Sequence, residues 1–129
     1  MEVGIFDGSY MTDLDMSSSQ FLAVSLGSDG YLDIATGAPV LGILQDDPNG
    51  QLNTIVSPPG YKPAVAQVRE AGHTNVVVDN SNIVQGSLVK LGSNGQGALS
   101  TVPATDVILG IAMETNNSTS CIIEVALRL

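Results

Sequence analysis

Apolar residues recur in short runs from residue 21 to the C-terminus, and clusters of turn-forming residues separate the runs. In the last run, one face holds Cys121, Ile123, Val125, Leu127 and Leu129, and the other holds Glu124 and Arg128. This period of two is typical of a strand with one buried face. Other runs are apolar at consecutive positions, as in strands covered on both sides. The patterns predict an all-β fold with strands at 21–26, 31–35, 40–45, 64–70, 74–79, 87–91, 98–101, 107–113 and 121–129.

Two stretches of this pattern occur twice. The sequence VSLGSDG at 24–30 returns as VKLGSNG at 89–95, and VLGIL at 40–44 returns as ILGIA at 108–112. The Asp-Gly and Asn-Gly pairs in the first repeat can close tight hairpins, because they adopt positive φ at low cost. Gly42 and Gly110 lie inside predicted strands, where glycine marks a bulge, a bend or a close backbone approach. We therefore predict a compact β-barrel or sandwich built from two quasi-repeated units, at about 20–70 and 84–129.

Residues 1–19 follow neither the helical nor the strand period, and we interpret them as an extended N-terminal arm ahead of a single β domain at 20–129. Apolar side chains on a flexible segment need a surface to bury against. The arm either docks on a neighbouring subunit or partner, or folds over its own domain. In the first case it supplies the candidate capsid or subunit contacts, which are Phe6, Tyr10, Met11, Leu14 and Met16.

A proline-rich insertion at about 46–63 interrupts the first unit. Pro58, Pro59 and Pro63 argue against a helix or a central strand there, because proline lacks the amide donor that both need. Long loops in compact domains commonly carry function. We expect a projecting loop, with an oligomer contact as one use for it.

The net charge of −9 comes from thirteen carboxylates against four bases, and residues 1–61 hold eight of the acids and no base. This balance argues against nucleic acid as a partner, because phosphate binding needs clustered Lys and Arg. A charged partner should instead be basic. No apolar run approaches the roughly 18 residues of a membrane span, so we expect no membrane partner. Cys121 is the only cysteine, and we predict that it is buried as a small hydrophobic residue.

Motifs that identify an enzyme are missing from the sequence. His73 is the only histidine and has no second ligand at a metal-binding spacing. The run after Asp46 departs from a calcium loop, since its glycine and its bidentate acid are misplaced, which leaves a looser site at Asp46 and Asp47 or a solvated turn. Neither a nucleophile elbow nor a phosphate-binding glycine motif occurs. We assign no catalytic, cofactor-binding or metal residue and predict that the protein is not an enzyme.

The runs at 84–95, 106–114 and 122–127 resemble the small capsid decoration, or cement, proteins of tailed bacteriophages. Members of that family share a glycine-led strand, an Asn-Gly hairpin, an Ile-Gly-Ile/Val-Ala strand and a closing apolar strand. The first unit matches the same scheme more loosely. The resemblance covers about residues 20–129 and leaves the arm and the insertion unexplained.

The resemblance implies a structural virion protein that binds the outer surface of a phage capsid and stabilises the shell. Its implied partners are the major capsid protein and two further copies of itself, in a homotrimer made in the host cytoplasm. A glycan-binding or host-attachment module is the alternative, with Tyr10, Tyr31 and Tyr61 as the available aromatic residues.

Overall fold

The computed structural model describes residues 4–48, 51–53, 60–62, 64–79, 82–116 and 122–129. These residues form strands joined by turns, with one 3-10 turn at Ser93–Gly95. The all-β prediction is confirmed, and each of the nine predicted strands overlaps a strand of the structure. The strands are β1 (Phe6–Thr12), β2 (Ala23–Leu26), β3 (Leu32–Ile34), β4 (Gly42–Leu44), β5 (Gln51–Asn53), β6 (Gly60–Lys62), β7 (Ala64–Ala71), β8 (His73–Val77), β9 (Leu88–Leu91), β10 (Gly97–Leu99), β11 (Ile108–Ala112) and β12 (Ile122–Leu127).

The strands form two five-stranded antiparallel sheets. The first sheet has the order β1-β7-β4-β2-β3, and the second has the order β10-β9-β11-β12-β8. Buried residues of both sheets belong to one hydrophobic cluster, so the sheets pack against each other. Of the two predicted architectures, the structure is consistent with the sandwich and not with one closed barrel.

The two sheets repeat the same strand order and the same register. We call residues 6–71, without β5 and β6, the first unit, and residues 73–127 the second unit. In the hairpins, Val24 pairs with Ile34 as Val89 pairs with Leu99. The other three strand contacts agree as well. Between the second and fourth strands, the pair Ala23–Ile43 corresponds to Leu88–Ile111. Between the fourth and fifth strands, Ile43–Arg69 corresponds to Ile111–Ala126, and between the first and fifth strands, Tyr10–Ala66 corresponds to Val76–Ile123.

The N-terminal segment belongs to the first unit. β1 pairs with β7 from Phe6 opposite Ala71 to Thr12 opposite Ala64. Met16, which follows β1, is 1% exposed and lies in a core cluster. The interpretation of residues 1–19 as an extended arm is therefore wrong for residues 6–16, and the units begin at Phe6 and His73 rather than at about 20 and 84. The physical reason is that β1 is an edge strand with Gly8 and Ser9 at its centre, so it lacks the apolar alternation of an inner strand.

Gly42 and Gly110 bring the fourth strand of each unit against the fifth, which is β7 in the first unit and β12 in the second. A Cβ on Gly42 would collide with the carbonyl oxygen of Arg69, and one on Gly110 would collide with the carbonyl oxygen of Ala126. Arg69 and Ala126 occupy the same position in their units. Of the predicted alternatives, a close backbone approach is found at both glycines, and the pairing of β11 with β9 also shifts in register between Ile108 and Gly110.

The core consists of two clusters. The first lies within the first unit and contains Met16, Val24, Leu32, Leu44, Ala66 and Val68. The second is formed mainly by the second unit, and the first sheet adds Ala23, Ala35 and Ile43 from its other face. The first sheet is therefore covered on both faces, which explains why the consecutive residues Gly42, Ile43 and Leu44 are all buried.

The proline-rich insertion contains a small ribbon of its own. β5 and β6 pair antiparallel from Gln51 opposite Lys62 to Asn53 opposite Gly60. They join neither five-stranded sheet. Residues 54–59 and Pro63 lie outside the described part of the chain, as does Cys121, whose predicted burial stays a prediction.

We predict that Gly42→Ala and Gly110→Ala each lower the free energy of unfolding by about 1–3 kcal/mol, because the added methyl group displaces the neighbouring strand. Gly37→Ala is the matched control, since a Cβ there has no atom within 4 Å. Urea unfolding of the three variants measures the effect. Equal stability of Gly42→Ala and Gly37→Ala would contradict the close approach.

Candidate interaction surface

The five residues predicted to make contacts are divided between the surface and the core. Phe6, Met11 and Leu14 are 59%, 42% and 43% exposed. Tyr10 is half-buried and packs against the first cluster. Met16 is buried, so its side chain is not available to a partner. The contact role of the three exposed residues stays a prediction.

Met11 is the centre of a row formed by residues of β1 and β7 and by the bridge residue that precedes β3, which we call the outer row. Val65 on β7 lies opposite Met11, and Tyr31 meets Met11 through an isolated parallel bridge. Val65 is 60% exposed and Tyr31 is half-buried. Val65 could have been found from the sequence as an exposed apolar residue. Ala66 and Val68 occupy the buried face of β7, and Val65 lies on the opposite face.

Carboxylates border the outer row. The chain runs in the same direction through Met11 and Tyr31, and Asp13 and Asp33 each follow two residues later. Asp29 Oδ1 and Asp33 Oδ2 each lie 2.8 Å from the point that a Cβ on Gly27 would occupy, so these two carboxylates converge beside the β2–β3 turn. An apolar row with an acidic border matches a partner surface with basic groups around an apolar centre.

An ion pair fixes β1 to its neighbour. Arg69 donates from Nε to Asp7 Oδ1 at 2.8 Å and from Nη2 to Asp7 Oδ2 at 3.1 Å. Its Nη1 also donates to the carbonyl oxygen of His73 at 2.9 Å, which links β7 to the second unit. The hydrogen bond from the Arg69 guanidinium holds the pKa of Asp7 below its usual value.

Tyr10 is fixed by a neighbouring carboxylate. Its hydroxyl donates to Glu70 Oε2 at 2.9 Å, and this hydrogen bond raises the pKa of the tyrosine. The ring packs on the first core cluster while the hydroxyl is satisfied within the protein. This arrangement suits a structural role for Tyr10 better than the sugar stacking that the alternative function would need.

His73 and Asp46, two of the three candidates from the sequence analysis, have structural partners, and Asp47 is exposed. His73 Nδ1 lies 3.1 Å from Glu124 Oε1, and Asp46 accepts a hydrogen bond from the Gln67 amide at 3.2 Å. Asp106 accepts from Ser100 Oγ at 2.9 Å, which lowers its pKa. Among the described residues, no three His, Cys, Asp or Glu side chains are grouped to bind a metal ion.

The same part of the chain contains no helix with the length and apolar character that a membrane crossing requires.

The fold is similar to that of a phage protein. The chain superimposes on the crystal structure of the head fiber gp8.5 N base of bacteriophage phi29 with a TM-score of 0.61 and 14% sequence identity. The match covers 97% of this chain and 95% of the other. At this level of identity the two proteins share a fold. The sequence matches neither a protein-family model nor a curated protein.

We predict that Asp7→Asn lowers the free energy of unfolding at pH 7 by about 0.2–1 kcal/mol, because the exposed pair is screened by solvent. The pKa of Asp7 is lower in the fold than the roughly 3.9 of an unfolded chain, so the pair stabilises the protein above that value. This stabilisation is lost as the pH falls through the lower folded pKa.

Urea unfolding of wild type and Asp7→Asn between pH 7 and pH 2 measures the difference. It should shrink below about pH 4. Asp47→Asn is the control, because Asp47 is an exposed carboxylate of the same unit. A difference that does not change with pH would refute the ion-pair account.

Proposed function

We propose that this protein is a structural component of a phage virion that binds the outer surface of the capsid as a homotrimer and stabilises the shell. The observation that carries the proposal is the fold, which matches a phage head fiber base over 97% of this chain and 95% of that one. A likeness that spans both chains supports a common architecture more strongly than a shared hairpin or sheet would.

The residues behind the sequence resemblance support the same proposal. The run at 84–95 supplies β9 and the tip of its hairpin, the run at 106–114 supplies β11, and the run at 122–127 is β12. These three strands are adjacent in the second sheet. The resemblance to decoration proteins and the likeness to the head fiber base therefore concern the same strands of the second sheet.

The surface chemistry suits a basic partner. The first unit holds eight acids against one base, Arg69, and so carries most of the net charge of −9. A capsid surface with lysine and arginine side chains around an apolar patch would complement it. Three copies in a trimer would bind together, and the second and third contacts would gain from a high effective concentration.

Phe6 is the exposed aromatic residue best placed to act as an anchor. It is 59% exposed at the start of β1, and its neighbour Ile5 is 63% exposed. Burial of one large apolar side chain contributes on the order of 1.5–3 kcal/mol before ordering costs. The proposed anchor is therefore strong enough to test with one substitution.

The test is co-sedimentation of purified protein with phage heads prepared without it. We expect saturable binding and a higher temperature of head disruption in the bound state. Phe6→Ser should weaken binding on the order of tenfold, because the anchor loses its apolar contact. Val102→Ser is the control, since Val102 is 53% exposed in a loop of the second unit.

Failure of the wild-type protein to bind such heads would overturn the proposal. Binding to immobilised glycans without binding to heads would favour the host-attachment alternative. Equal losses in Phe6→Ser and Val102→Ser would keep head binding but reject Phe6 as the anchor.

A further inference from the structure

The contact between the two units uses different surfaces of each. From the second unit, the Val77 amide donates to the carbonyl oxygen of Phe21 at 2.9 Å, and Gly95 lies against Ala23. From the first unit, Ala23 and Ile43 enter the shared cluster, and Gln45 Nε2 donates to Thr74 Oγ1 at 2.8 Å. We call the contributing surface of the second unit its head and that of the first unit its tail.

The shared register assigns an equivalent of each contact residue in the other unit. Met11 corresponds to Val77 and Gly30 to Gly95, so they mark the head of the first unit. Leu88 and Ile111 correspond to Ala23 and Ile43, and Met113 follows as the equivalent of Gln45; these three mark the tail of the second unit.

Backbone conformation supports the assignment of the tails. Phe21 has a φ of 67° and its equivalent, Gly86, has a φ of 90°. The amide of each donates to the last residue of the fourth strand, Phe21 to Leu44 at 2.7 Å and Gly86 to Ala112 at 2.8 Å. The second unit thus repeats the backbone on which the first unit receives its neighbour.

The head of the first unit is open. A Cβ on Gly30 would meet no atom within 4 Å, whereas one on Gly95 would lie 2.8 Å from the carbonyl oxygen of Ala23. Met11 is 42% exposed at the same surface. The position that is filled in the second unit is therefore unfilled in the first.

The tail of the second unit is apolar and partly exposed. Leu88, Ile108 and Ile111 are half-buried and Met113 is 38% exposed. Their equivalents in the first unit include Ala23 and Ile43, which are completely buried in the cluster that they share with the second unit. The second unit therefore presents an uncovered version of a surface that the first unit buries.

We propose that copies of this chain join head to tail. In this contact, the head of the first unit of one copy docks on the tail of the second unit of another copy. The occupant of each open surface is then a second copy, and the contact continues the one already formed inside the chain. This inference deepens the proposed homotrimer, which would place six similar units in one ring.

Charge favours this arrangement over a symmetric pairing of heads. The first unit carries eight acids and one base, while the second unit carries four acids and one base, Lys90, so the second unit is the less acidic of the two. Two heads face to face would bring acidic borders together. Head-to-tail contact places the acidic border near the less acidic second unit, where Lys90 lies on β9 two residues after Leu88, with its Nζ 3.8 Å from Asp106 Oδ1. A head-to-tail contact between copies is heterologous, and such contacts form rings when the rotation closes.

The test uses one variant for each surface and light scattering coupled to size exclusion, without phage heads. Wild type should have about three times the 13.3 kDa chain mass. Met11→Glu, on the head, and Met113→Glu, on the tail, should each be monomeric. Ile5→Glu is the control, since Ile5 is 63% exposed outside both surfaces, and it should keep the wild-type mass.

Mixing the two variants should give heterodimers, because each supplies one intact surface and the defective surfaces prevent further growth. Gly30→Asn and Leu88→Ser form a second pair that should behave in the same way, and circular dichroism checks that every variant folds.

A monomeric wild type at its highest soluble concentration, or wild-type mass in both variants, would overturn the inference. Monomers from Met11→Glu with wild-type mass from Met113→Glu would also overturn it, since that result indicates paired heads. Co-sedimentation with heads tests capsid binding separately, because a monomer that binds heads would overturn the head-to-tail contact and the homotrimer but leave capsid binding intact.

Discussion

In both units a glycine without a side chain lets the fourth strand lie directly against the carbonyl of the fifth. Gly42 faces Arg69 and Gly110 faces Ala126, so the same contact sets the same register twice. The second and fourth strands then keep their apolar side chains in matching positions. A side chain at either glycine would separate the strands and disturb the sheet around which each unit is built.

The two units use this common framework differently. The first sheet is covered on both faces, by its own cluster and by the second unit. The second sheet buries one face in the shared cluster and keeps Leu88 and Ile111 half-buried on the other. The asymmetry arises because the units stack with unlike surfaces in contact. Such stacking leaves one surface of each kind at the two ends of the molecule, and the polar network around Arg69 ties the units together between them.

Much of this architecture could be predicted from the sequence, because its signals are local. The Asp29-Gly30 and Asn94-Gly95 turns and the paired mid-strand glycines predicted the hairpins and the duplication. β1 could not be predicted in this way, since an edge strand that contains Gly8 and Ser9 has no clear period. Its pairing with β7 joins residues about sixty positions apart, and β8, its equivalent in the second unit, matches β1 in sheet position and register but not in sequence.

Surface residues, too, could be predicted from the sequence only where their signal is local. Phe6, Met11 and Leu14 could be found as apolar residues in a polar segment, but the same criterion included Met16, which is buried. Val65 belongs to the surface only because β1 brings Met11 opposite it. The outer row is therefore a product of long-range pairing, and its membership depends on the sheet order.

The most direct test of the duplicated fold is a nuclear Overhauser measurement of cross-strand backbone contacts in both units. The account predicts contacts of Ser9 with Gln67 and Met11 with Val65, matched by contacts of Asn75 with Glu124 and Val77 with Ile122. Contacts in the second unit without those in the first would leave β1 outside the sheet and contradict the account.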